Sequence, residues 1–96
     1  MTLCWNTSRQ RRFIKQLAKF GSRFRFELTN EIGALNVPQI KFELLRLGWD
    51  IKCKMVETED RDGQKVRVGY YYISDEHRLI AQKLYADYLA NPDKYI

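Results

Sequence analysis

Histidine and cysteine are scarce in this sequence, and the shortage argues against several functions. His77 is the only histidine, and the two cysteines, Cys4 and Cys53, stand far apart. That spacing matches no zinc-ligand pattern, so no metal site is expected. In a reducing compartment both cysteines are expected to remain thiols and pack as small hydrophobes. There is no Gly-rich phosphate loop, no nucleophile elbow and no cluster of carboxylates on a predicted pocket wall, so neither an enzyme nor a cofactor is expected. Asp75 and Glu76 adjoin His77, but neighbours on a helix do not face one another. No apolar run approaches the roughly eighteen residues of a membrane span. The start, MTLCWNTSRQRRF, lacks the apolar segment of a secretory signal, so the expected location is intracellular and cytoplasmic. There is no repeat, low-complexity tract or linker, and residues 1–96 are expected to form one domain.

Acid is absent from the first 26 residues, which hold Arg9, Arg11, Arg12, Lys15, Lys19, Arg23 and Arg25. The remainder is close to neutral, although the whole chain carries +5. A one-sided basic segment is the electrostatic footprint of a polyanion partner, with nucleic acid the commonest. The plainer reading is a solvated helix face. Hydrophobic residues at 45% and aromatics at 14% are the composition of a folded chain.

Hydrophobic period and end signals divide the chain into elements. Thr7 or Ser8 starts a helix ending at Phe20 before Gly21, with Phe13, Leu17 and Phe20 on its apolar stripe. SRFRFELTNEIGALN is ambiguous at its start. Phe24 and Phe26 alternate with arginines as in a short strand, whereas Phe24, Leu28 and Ile32 are spaced as in a helix. The favoured reading is a helix over about 25–32. Asn36 caps a third helix with Pro38 in its first turn, and Val37, Ile40, Leu44 and Leu47 mark its buried face. After Gly48 the period changes to two: Trp49, Ile51, Cys53 and Met55 alternate with Asp50, Lys52 and Lys54. Asp62-Gly63 marks a hairpin turn to a strand over Lys65 to Ile73. On that strand Val66, Val68, Tyr70 and Tyr72 are read as the core face, leaving Tyr71 as the exposed aromatic. Ser74 or Asp75 opens a last helix, about 75–90, and Asn91-Pro92 stops it. The order predicts an α+β, mostly helical fold: three helices, a two-stranded β-hairpin and an additional C-terminal helix, with the main unit over about 7–74.

The stretch IGALNVPQIKFELLRLGWDIKCKMVETEDRDGQKVRVGYYYIS resembles the winged helix-turn-helix domains of small bacteriophage and prophage proteins. The shared features are Leu44-x-x-x-Gly48, Trp49-x-Ile51, Asp62-Gly63 and Tyr71-x-Ile73. The resemblance covers about residues 23–74. It departs from the pattern at residues 23 and 24, which lack a Leu-Thr cap, and at Lys41, where an apolar residue is usual. It implies a DNA-binding regulator or accessory factor of phage or mobile-element type, acting in the cytoplasm of a bacterial host.

In such a domain the outward residues of the second helix meet base edges in the major groove. Asn36, Gln39, Glu43 and Arg46 are the candidates for base contacts, since Asn and Gln suit adenine and Arg suits guanine. Arg9, Arg11, Arg12, Lys15, Arg23, Arg25, Lys41, Lys52, Lys54, Lys65 and Arg67 are the candidates for phosphate contacts. Phe42 lies at the edge of the exposed face and is expected in the core, with an interface or a thymine methyl as the alternatives. The acidic hairpin tip, Glu57, Glu59, Asp60 and Asp62, would repel a duplex backbone. It favours the competing reading, a protein-interaction module such as a phage-encoded inhibitor of a host protein. The last helix offers Leu84, Tyr85, Tyr88 and Leu89 either to a homodimer or to its own domain.

Overall fold

The computed structural model describes residues 3–33 and 36–95. In it the chain runs α1 (Ser8–Phe20), β1 (Ser22–Phe24), α2 (Arg25–Ile32), α3 (Val37–Arg46), β2 (Ile51–Glu59), β3 (Lys65–Ile73) and α4 (Asp75–Ala90), then a 3-10 turn over Pro92–Lys94. The result is a small α+β domain, just over half helical, with an antiparallel sheet in the order β1-β3-β2. The link between α2 and α3 passes through positions 34 and 35, so the turn read from the sequence lies outside the described residues.

Local chemistry sets the boundaries. The Thr7 hydroxyl accepts from the Gln10 amide at 3.1 Å and opens α1. The Asn36 carboxamide accepts from the Gln39 amide at 3.3 Å and opens α3, and Ser74 accepts from the His77 amide to open α4. These side chains satisfy donors that no helical carbonyl can reach. At the end of α3 the amides of Gly48 and Trp49 donate to Leu45 and Leu44 at 3.0 and 3.1 Å. Gly48 stands at φ +100°, a conformation that disfavours any side chain, and the crossed pair of bonds forms a Schellman close. Trp49 is thereby folded back onto the helix it follows, where it and Leu44 are both buried.

The core gathers Phe13, Ile14 and Leu17 of α1, Leu28 and Ile32 of α2, and Val37, Ile40 and Leu44 of α3. Ile51, Tyr71 and Ile73 close it from the sheet, and Ala81 from α4. Each fully buried aliphatic or aromatic side chain contributes about 1.5–3 kcal/mol. A second layer fastens α1 to the C-terminal region. Trp5 is buried with its ring 5.2 Å from Tyr95 and 5.9 Å from Tyr88. Arg78 donates to the carbonyls of Ala18 and Lys19 at 3.1 and 3.0 Å, and Gln82 adds a bond to Ala18 at 3.1 Å. These donors sit at the negative end of the α1 dipole.

The structure corrects four expectations. The sheet has three strands, because Ser22–Phe24 pairs with Tyr72–Tyr70 along one side of β3. The ambiguous segment is therefore a strand followed directly by a helix, with Glu27 accepting from the Phe24 amide at 2.9 Å. The tyrosine run is inverted: Tyr71 is 3% exposed, while Tyr70 and Tyr72 are half-buried on the outer face. Register is the cause, since Ile51 pairs with Ile73 and Cys53 with Tyr71, and these share the side against the helices. Cys53 and Met55 share that side but are exposed, and Cys4 is half-buried. Cys53 and Met55 face a groove left open between α2, α3 and the sheet, so the predicted burial of the first hairpin strand fades after Ile51. Phe42 is not core; it is 53% exposed on α3.

The burial of Tyr71 carries a pH signature. Loss of hydration, followed by the adjacent Cys53 thiol, pushes its phenol up to about 12 from the ordinary 10.0. The native state therefore holds this proton more tightly than the unfolded chain. Stability is fully present below pH 10 and is lost as pH rises toward 12. Allowing for solvent screening, the loss is about 1–2 kcal/mol. Urea melts at pH 9 and pH 11.5 should show a smaller pH-dependent decline in Tyr71→Phe than in the parent. Equal declines would remove Tyr71 as the cause.

Candidate functional site

The second helix of the helix-turn-helix order, α3, presents two unlike flanks. On one flank Gln39 and Arg46 are exposed. Asn36, a turn earlier, is engaged in capping. Glu43 is held from behind: buried Gln10 of α1 donates to it at 3.0 Å, and Gln10 also accepts from the Asn6 amide at 2.7 Å. The four candidates for base contact are therefore unequal. Gln39 and Arg46 are the exposed pair, with Gln39 Nε2 donating to Glu43 at 3.5 Å and Arg46 5.9 Å over the Phe42 ring, while Asn36 caps the helix and Glu43 is tied to α1.

The predicted phosphate contacts are dispersed by the same geometry. Arg23 is ion-paired with Glu27 at 2.9 Å, and its guanidinium lies 4.1 Å from the Phe20 ring centre. Arg11 lies 4.6 Å over Tyr88, Lys15 lies 5.6 Å from Tyr85, and Arg12 donates to the Ile32 carbonyl at 3.0 Å. Arg9 and Arg25 are exposed. On the hairpin, strand alternation puts Lys52 and Lys54 on the outer face and Lys65 and Arg67 on the face toward α3. The four hairpin cations therefore form two groups rather than one patch. Lys54 is drawn over the rings of Tyr70 and Tyr72, at 5.6 and 5.7 Å.

The hairpin tip is less repulsive than its composition implies. The Asp60 carboxylate accepts from the amides of Asp62 and Gln64, both at 2.9 Å, and so builds the turn. Glu57 stands opposite Arg67 and Glu59 opposite Lys65 in the strand register, so each cross-strand pair opposes unlike charges.

The other flank of α3 is apolar. Pro38, Phe42 and Leu45 follow one another at i, i+4 and i+7 and form one wall of a groove of about 770 Å³. Phe26 and Thr29 of α2 line a second wall, and Cys53, Met55, Gly69 and Tyr71 line the sheet side. Arg25, Lys41 and Arg67 also line it. Sequence reasoning missed this groove as a site. Its visible signal was the second apolar stripe on α3, which a search for one buried face treats as core.

On α4, Ile80, Leu84, Tyr85 and Tyr88 pack against the domain's own core, while Leu79 and Leu89 are exposed. His77 also serves the fold, its Nδ1 accepting from the Asp50 amide at 2.8 Å. Among the described residues no group of three or more His, Cys, Asp or Glu side chains is placed to hold a metal, and no helix is long and apolar enough to cross a membrane. Comparison with protein-family models gives no match to this chain, and comparison with curated proteins gives none either.

Proposed function

We propose that this chain is a winged helix-turn-helix protein that binds double-stranded DNA, as a regulator or accessory factor of phage or mobile-element type. One observation carries the reading. Helix α3 follows α2 across a short link, turns its Gln39 and Arg46 outward, and passes through Gly48 directly into a hairpin whose strands bear Lys52, Lys54, Lys65 and Arg67. In this reading β2 and β3 form the wing, and β1 completes its small sheet. Gln39 and Arg46 meet base edges, because paired donors and acceptors match adenine and guanine there. Lys41 and the two hairpin cations on the α3 side, Lys65 and Arg67, meet phosphates, which add affinity and salt dependence without sequence preference.

Fluorescence anisotropy with a labelled duplex pool of mixed sequence tests this. Binding at 50 mM salt is expected to weaken steeply at 200 mM, and Arg46→Ala should lower affinity by about tenfold. Lys65→Ala should reduce the slope of log affinity against log salt by about 0.9. Absence of duplex binding at 50 mM salt would sink the proposal.

A second reading, a module that binds a partner protein, is favoured by Phe42. This ring sits between Gln39 and Arg46 on one side and Pro38 and Leu45 on the other, where a base-reading helix is ordinarily polar. Contiguous exposed apolar surface of this kind marks interaction sites.

A further inference from the structure

Among the described residues seven large hydrophobic side chains are exposed, and four of them, Phe26, Phe42, Leu45 and Met55, line the groove between α2, α3 and the sheet. The other three, Phe20, Leu79 and Leu89, lie on α1 and α4. Three elements distant in sequence thus contribute apolar groups to a single concave surface.

The charge around it has one sign. Among the described residues Arg25, Lys41 and Arg67 line the groove, and no carboxylate does. Among the described residues none of these three cations makes a salt bridge, and the acid nearest in register is Glu57, across the strand pair from Arg67. An apolar floor with a cationic margin is complementary to an apolar stripe with anionic margins. The shape of the walls narrows the occupant further. The floor is one face of the sheet, made by Cys53, Met55, Arg67, Gly69 and Tyr71; β3 is paired with β2 along its length and with β1 at Tyr70–Tyr72, so a segment lying in the groove meets side chains and not a strand edge. An extended segment in an apolar groove would leave its backbone N–H and C=O groups unpaired, whereas a helix satisfies its own.

We infer that this groove docks an amphipathic helix of a partner protein whose apolar stripe is flanked by acidic side chains. The inference deepens the partner-binding reading and does not depend on duplex binding. Phe42 and Leu45 supply the anchoring contacts, and Lys41 and Arg67 pair with acids on either side of the docked stripe. Cys53, exposed on the sheet side of the groove, is covered when the helix is seated.

The test uses the full chain and two fluorescein-labelled synthetic peptides of about 18 residues. Both carry leucines at i, i+3, i+4 and i+7; one has glutamate flanks and the other glutamine. Anisotropy should show saturable binding of the glutamate peptide, at least tenfold tighter than the glutamine peptide. Phe42→Ala and Leu45→Ala should each weaken it by at least tenfold, and Leu79→Ala should leave it unchanged. These positions are exposed, so the variants should fold, which circular dichroism verifies. In a Cys4→Ser background the glutamate peptide should slow the reaction of Cys53 with a thiol reagent. Equal binding of both peptides, still weakened by Phe42→Ala, would overturn the acidic partner while leaving the partner-binding reading in place. No saturable binding of either peptide, or binding indifferent to Phe42→Ala, would overturn the groove as a docking site altogether.

Discussion

Trp49→Ala is expected to cost about 3–5 kcal/mol of folding free energy, the range for emptying a buried aromatic site. Domains of this size are commonly stable by only about 5–15 kcal/mol, so a large share of the molecules would be unfolded at moderate temperature. Trp49 is 2% exposed and performs three tasks at once. Its ring fills the core behind the Schellman close of α3, its indole N–H donates to the Cys4 carbonyl at 2.8 Å, and it meets the His77 ring edge-on at 6.0 Å. Removal opens a cavity, leaves the Cys4 carbonyl without that donor and loosens the N-terminal segment. Urea denaturation followed by far-UV circular dichroism measures the effect without relying on the missing indole. A loss below about 1 kcal/mol would show that the surrounding side chains collapse into the space.

Arg78→Met is expected to destabilise the domain by about 2 kcal/mol, although Arg78 contributes nothing to the apolar core. Hydrogen bonds to charged donors are worth about 1.5–3 kcal/mol. Arg78 makes two, to Ala18 and Lys19, where α1 ends and its carbonyls carry the negative end of the dipole. Water reaches the Lys19 carbonyl more readily than that of Ala18, so part of the loss is recovered. Arg78→Lys keeps the charge but not the planar fork, and should restore less than half of the stability. Thermal melts of the three proteins give the order directly. A melting temperature for Arg78→Met equal to the parent's would mean that Gln82 alone holds the end of α1.

Much of the element order was legible because its signals are local. Thr7, Asn36-Val37-Pro38, Leu44 to Gly48 and Asp62-Gly63 each act over a few residues, and each helix or turn stands where these signals put it. The misreadings share one cause, that the deciding partner lay far away in sequence. Ser22–Phe24 becomes a strand only because Tyr70–Tyr72 is there to pair with it. The return strand has apolar residues on both faces, so alternation alone could not choose between Tyr71 and its neighbours; pairing of Ile51 with Ile73 chose. At the candidate site, Gln39 and Arg46 were readable as outward positions on a helix. The diversion of Glu43 was not, because its partner Gln10 is 33 residues earlier. The groove was hidden for the same reason, since Phe26, Phe42 and Met55 become neighbours only in the folded chain.

The fastening of α1 by α4 bears on how the chain is made. The carbonyl of Ala18 waits for donors about 60 residues downstream, and at ribosomal rates of about 5–20 residues per second those donors are synthesised about 3–12 s later. During that interval Phe13, Ile14 and Leu17 have an amphipathic helix but no complete layer to lie against. The basic residues interspersed with them keep the nascent segment charged and disfavour its self-association. Closure of this part of the fold thus waits for the donors that α4 supplies.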